Sequence, residues 1–146
     1  MQFSSRLALA VHSLLAIEYF GGQKKITADF IASSAGVNPV IIRNVLSQLK
    51  AAGLVEIAAG VGGTKLKRPI EAITLLDVFG AVEADEDLFH LHEKPNPNCP
   101  IGKNIHRVLN GKLKKIQDAA KNEMKKITLD EMLEADFPDS SNERSD

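Results

Sequence analysis

Residues 27–69 carry a run of backbone punctuation that few folds accommodate: Thr27, then Ala35-Gly36-Val37, then Asn38-Pro39, then Gly53, then a loop holding Gly60, Gly62 and Gly63 that Pro69 closes. Thr27 is a natural cap for a short helix reaching about residue 34, whose buried face is supplied by Phe30 and Ile31. After the tight turn, Asn38 offers a side-chain acceptor and Pro39 occupies the first helical position, where no amide hydrogen is needed. Gly53 ends this third helix as its left-handed residue. Two helices joined by so short a turn form a helix-turn-helix. A first helix within 4–20 precedes them, with Leu7, Val11, Leu14 and Leu15 at helical spacing and Gly21-Gly22 as its stop.

On the third helix, Ile42, Val45, Leu46 and Leu49 cluster on one side at about 100° per residue. Val40, Arg43, Asn44, Ser47 and Ala51 fall on the other. An ordinary amphipathic surface helix shows a dense mix of Lys and Glu there, whereas this one shows modest side chains around a single arginine. Such a ridge suits entry into the major groove of double-stranded DNA. The chain then alternates through Leu54-Val55-Glu56-Ile57-Ala58, turns over 59–63, and returns through Thr64-Lys65-Leu66-Lys67-Arg68-Pro69. A hairpin in this place reads as a wing, with a tip whose amides can approach phosphates and with Lys65, Lys67 and Arg68 for charge. No helix follows the Gly-rich loop and the Walker spacing is absent, which argues against a nucleotide cradle.

The net charge of -1 conceals a division. Residues 1–69 hold eight Lys or Arg against three acids, and residues 70–146 hold ten against sixteen, so the halves carry +5 and -6. Phosphates favour the first half and repel the second. A 146-residue chain that is 44% hydrophobic supports a core without staples. One cysteine, Cys99, excludes an intrachain disulfide. No signal-peptide pattern and no apolar run of membrane length is present, so the expectation is a cytoplasmic protein with no membrane partner.

These motifs resemble the Rrf-two family of bacterial winged helix-turn-helix transcriptional regulators. The likeness runs through Leu46-Ser47-Gln48-Leu49-Lys50-Ala51-Ala52-Gly53-Leu54-Val55 and the wing Gly60-x-Gly62-Gly63-x-x-Leu66-x-Arg68-Pro69. It continues through Ile73-Thr74-Leu75-Leu76-Asp77-Val78, Cys99-Pro100-Ile101-Gly102 and Ile127-Thr128-Leu129, to about residue 137. Carried over, DNA contact falls on Asn38, Pro39, Val40, Arg43 and Asn44 and on Gly62, Gly63, Thr64 and Lys65 in the wing; Ser47 joins them from the face assignment above. Members that sense iron-sulfur status or nitric oxide hold a cluster with three closely spaced cysteines, where this chain offers Cys99 alone. The resemblance therefore implies the cluster-free branch, with no cofactor.

In the second half, Thr74-Leu75-Leu76-Asp77 and Thr128-Leu129-Asp130-Glu131 are both capping boxes that announce helices. Between them Ile105, Leu109, Leu113, Ile116, Ala120 and Met124 step by three or four residues along one long helix. A helix of that length lacks a partner in so small a domain, and its expected partner is the same helix of a second chain, giving a homodimer on a palindromic site. The alternative is a helix folded back on its own wing domain.

Residues 83–100, acidic and then Pro-rich, read as a loop open to a small-molecule or protein effector. His90, His92, Cys99 and His106 lack standard zinc spacing, so no metal site is expected. Cys99 reads as a small buried hydrophobe or as a redox sensor at the start of the long helix. The expected organisation is a mainly α chain with a small β-hairpin wing: a winged helix-turn-helix over 1–82, the effector loop over 83–100, dimerisation helices over 101–137 and a disordered tail over 138–146. The function expected is a DNA-binding transcriptional regulator, a homodimeric repressor answering a redox or small-molecule signal. A winged-helix adaptor for protein contacts is the competing reading, and no nucleophile-base pair or paired carboxylates suggest an enzyme.

Overall fold

The computed structural model describes residues 5–58, 63–83 and 88–136, with side-chain surroundings to residue 133. The middle of the hairpin turn, most of the acidic cluster and the tail expected over 138–146 lie outside the described residues. Six helices and one hairpin follow in the order α1 (Ser5–Phe20), α2 (Ala28–Ala35), α3 (Pro39–Ala51), β1 (Val55–Ala58), β2 (Gly63–Leu66), α4 (Leu75–Val82), α5 (Pro100–Lys126) and α6 (Leu129–Asp136). A single 3-10 turn, Ile70–Ala72, joins β2 to α4.

The predicted punctuation is seen as atoms. Thr27 accepts a hydrogen bond from the Phe30 amide at 3.1 Å, and Asn38 Oδ1 accepts from the Val40 amide at 2.9 Å. Gly36 and Gly53 take the left-handed conformation after α2 and α3. Thr74 and Asp77 form a reciprocal capping box at the start of α4. β1 and β2 pair antiparallel, from Val55 opposite Leu66 to Ala58 opposite Gly63.

One core unites Leu14 and Ile17 of α1, Ile31 of α2, Ile42, Val45 and Leu49 of α3, and Val78 and Val82 of α4. Leu129 is fully buried in that same core. Within the stretch 101–137, α6 packs on α1 and the 3-10 turn. Backbone pairing around Thr74 and Thr128 explains this return. Thr74 and Thr128 form an antiparallel bridge, the Leu75 amide donates to the Ile127 carbonyl at 2.8 Å, and the Leu129 amide donates to the Ile73 carbonyl at 3.0 Å. The helix starts of α4 and α6 are thus stitched together, which pins the C-terminal end of α5 to the winged unit.

Candidate nucleic-acid interface

α3 rests on α1, α2, α4 and β1, and its outward ridge remains open. Ile42, Val45, Leu46 and Leu49 are buried, while Arg43, Asn44, Ser47 and Ala51 are exposed and Val40 is 55% exposed. Asn38 and Pro39 sit at the start of the ridge, Asn38 exposed and Pro39 half-buried. Asn38 is engaged as the cap, so its side-chain oxygen already accepts an amide. Ile41, another large apolar side chain, is exposed beside Val40.

Arg43 is not free-standing. Its Nη2 donates to Asp29 Oδ1 at 3.2 Å across the turn, with side chains 57% and 70% exposed. Sequence reasoning missed Asp29, although it is one of only three acids in the basic half. Nearby, Lys24 lies over the Phe30 ring at 4.6 Å and the Phe20 ring at 5.1 Å.

In the wing, Lys65 and Lys67 are exposed, whereas the other expected contacts divide. Gly62 lies outside the described residues. Gly63 is buried with φ at +67°, and a Cβ there would stand 2.8 Å from Lys25 Cγ and 2.9 Å from the Ile26 carbonyl oxygen. Thr64 is only 5% exposed and its amide donates to the Ile26 carbonyl at 2.9 Å, so its hydroxyl does not stand at the outer edge where a phosphate contact needs it. The cause is the backbone: Gly63 and Thr64 lock the hairpin onto the residues before α2. Arg68 is likewise drawn inward. Its Nη2 donates to the Ala72 carbonyl at 2.6 Å and reaches Asp77 Oδ2 at 3.5 Å, so it ties the wing to α4. The cation supply of the wing is therefore Lys65 and Lys67.

α5 has two apolar sides. Met124 is buried with Phe79 and Leu88, and Ala120 packs against that small cluster, so the end of the predicted stripe is consumed within the chain. Ile105, Leu109 and Leu113 are half-buried, and Ile116 is 53% exposed. Ile101, at 71%, and Val108, at 55%, stand out with Ile116 and were not in the expected stripe. At about 100° per residue these three lie within about 80° of one another around the helix. Turned toward the 88–92 segment, α5 is tied by the Leu88 amide donating to Gln117 Oε1 at 2.7 Å and by His106 Nε2 donating to the His92 carbonyl at 2.7 Å. Phe89, Leu113, Lys114 and Gln117 help line a hollow of about 290 Å³ there.

Cys99 is partly exposed at the cap position of α5. The open backbone amides of Gly102 and Ile101 pull its thiol pKa below the ordinary value, against a smaller opposing effect of burial. The His92 and His106 rings meet edge to face at 5.2 Å, and among the described residues no three His, Cys, Asp or Glu side chains gather as a metal site. No helix among the described residues is long and apolar enough to cross a membrane.

The chain matches the sequence pattern of the family described as "Rrf2: Iron-dependent Transcriptional regulator" over residues 3–135. It is similar to YwnA of Bacillus subtilis (strain 168), named as a candidate HTH-type transcriptional regulator, at 39% identity over 130 residues, covering 89% of this chain and 96% of that protein. A crystal structure titled as that of a candidate DNA binding protein superposes with a TM-score of 0.72 at 35% identity, covering 88% of this chain and 99% of the other. The fold is shared with CymR (YrzC), the global cysteine regulator of B. subtilis, at a TM-score of 0.68 and 20% identity, covering 94% and 99% of the two chains.

Proposed function

As a member of the Rrf2 family, the chain is a DNA-binding transcriptional regulator, and we propose that it acts in the cytoplasm as a homodimeric repressor of a palindromic promoter site. The observation that carries this reading is the α3 ridge: Val40, Arg43, Asn44, Ser47 and Ala51 are exposed while the helix beneath them is anchored by four buried side chains. Modest side chains let the helix approach the groove floor, and one arginine and one asparagine supply donors suited to purine edges. Asn38, Pro39, Gly63, Thr64 and Lys65 belong to the same surface in this reading, with Lys65 meeting phosphate directly and Gly63 and Thr64 acting through the backbone that seats the wing; Gly62 is proposed as a contact from the sequence pattern alone.

The second copy is supplied along α5, through Ile101, Ile105, Val108, Leu109 and Ile116. Leu113, Ala120 and Met124 of the expected stripe shape that helix from its inner side. An isologous pairing of α5 would place two α3 ridges for two half-sites. The signal that releases DNA enters through residues 83–100, as a small molecule, a protein effector or oxidation of Cys99. Iron dependence, named in the family's description, finds no matching donor set among the described residues. A cluster held by thiolates needs several cysteines, the chain has one, and the nearby imidazoles of His92 and His106 pack edge to face on each other.

The test is DNA binding by full-length protein to promoter fragments that carry an inverted repeat. Arg43→Ala should weaken binding to the preferred site by about tenfold or more, and Lys65→Ala should weaken all sequences alike and reduce the salt slope by about 1. Unchanged affinity in both variants removes this site. Affinity that does not fall with ionic strength removes phosphate contact altogether and leaves the adaptor reading.

A further inference from the structure

We propose that Asp29, on the helix before the recognition helix, is the positioning residue that makes Arg43 a reader of guanine, a reading that rests on the DNA-binding role of α3. The starting observation is a carboxylate in an unfavourable place. Asp29 lies in the first turn of α2, 70% exposed, in a half of the chain whose charge otherwise suits phosphates. There it repels the DNA backbone that Lys65 and its neighbours attract. Its place in the first turn of α2 favours that helix whether or not Arg43 is present, and an exposed ion pair adds little to folding, so stability does not account for the pairing with Arg43. What the pair does is geometric.

A free arginine on a groove-facing helix has many rotamers, and the nearest strong acceptors are phosphates, which carry no sequence information. Asp29 Oδ1 binds one terminal nitrogen, Nη2, at 3.2 Å and takes up a single donor position of the five the guanidinium offers. The remaining donors keep their planar fork, which matches O6 and N7 of guanine. Because the carboxylate sits on the neighbouring helix, fourteen residues away in sequence, the exposed arginine is braced from outside its own helix. The same carboxylate turns phosphate away from the arginine. Asp29 thus lowers affinity for DNA in general and raises the difference between right and wrong sequence, which is what specificity requires.

Selection from a random-sequence duplex pool tests this with full-length wild type, Asp29→Ala, Asp29→Glu and Arg43→Ala. Base frequencies are read from the selected duplexes, and affinity for the unselected pool is measured at about 50 mM salt. Wild type should enrich a site with one guanine per half-site, and Arg43→Ala should lose that guanine. Asp29→Ala should lose the same preference by about tenfold while keeping the other positions, and its affinity for the unselected pool should rise by about two- to fivefold. Asp29→Glu should restore part of the preference. A guanine frequency unchanged in Asp29→Ala overturns the inference alone. So does an even loss at every position, which marks a merely structural role. No sequence enriched by wild type overturns the DNA-binding reading itself and this inference with it.

Discussion

α3 and α5 are both amphipathic helices, yet they are finished in different ways. In α3, 13 residues bury four side chains against α1, α2, α4 and β1, and what remains outward is a lean ridge. In α5, 27 residues bury only Met124, and three large apolar side chains stay more than half exposed. The first helix is completed by its own chain and offers polar chemistry to something else. The second leaves Ile101, Val108 and Ile116 exposed on one helix side, the kind of apolar patch that interaction surfaces carry, and the proposed second copy would cover it.

The largest effect that can break this contrast is expected in the core beneath α3. Leu49→Ala should cost about 2–5 kcal/mol in urea unfolding, since the side chain is fully buried among rigid neighbours. A cost near zero would mean that α3 is not anchored by its own chain. Next in size is the outer side of α5. Ile116→Asp should shift the protein from dimer to monomer in sedimentation equilibrium, weakening association by about 100-fold or more while circular dichroism keeps its helical signal. A monomeric wild type would end the claim that a second copy covers α5.

Smaller again is the seat of the wing. Gly63→Ala adds a Cβ against the Ile26 backbone and places a side chain at positive φ, and should cost about 1–3 kcal/mol. Unchanged thermal stability there would show that the hairpin is loosely held. The smallest effect concerns the start of α5. Because the Gly102 and Ile101 amides lower the Cys99 pKa, its alkylation rate should reach half-maximum at a lower pH than in urea-unfolded protein. Coincident profiles would show that the first turn of α5 does not act on the thiol.

The elements most legible in the sequence were those governed by neighbours along the chain. Thr27, Asn38-Pro39, Gly36, Gly53 and Thr74 with Asp77 each act within about four residues, and each behaves as its type dictates. The four buried positions of α3 follow from helical period alone, and so does its open ridge. The hairpin was legible too, through its alternation and its glycines.

What needed the folded chain were choices between two partners that period and capping leave equal. Arg43 and Arg68 are alike as residues in a basic stretch, but docking of α2 on α3 brings Asp29 to one, while the 3-10 turn brings the Ala72 carbonyl to the other. Thr64 alternates outward or inward depending on where the hairpin is stitched, and the Ile26 carbonyl turns its strand so that it faces in. The apolar positions of α5 were visible as one stripe, yet the Thr74 and Thr128 bridge sets which part of it meets Phe79 and Leu88 and which part faces away. Such outcomes depend on angles between elements far apart in the chain, and those angles come from packing the whole core at once.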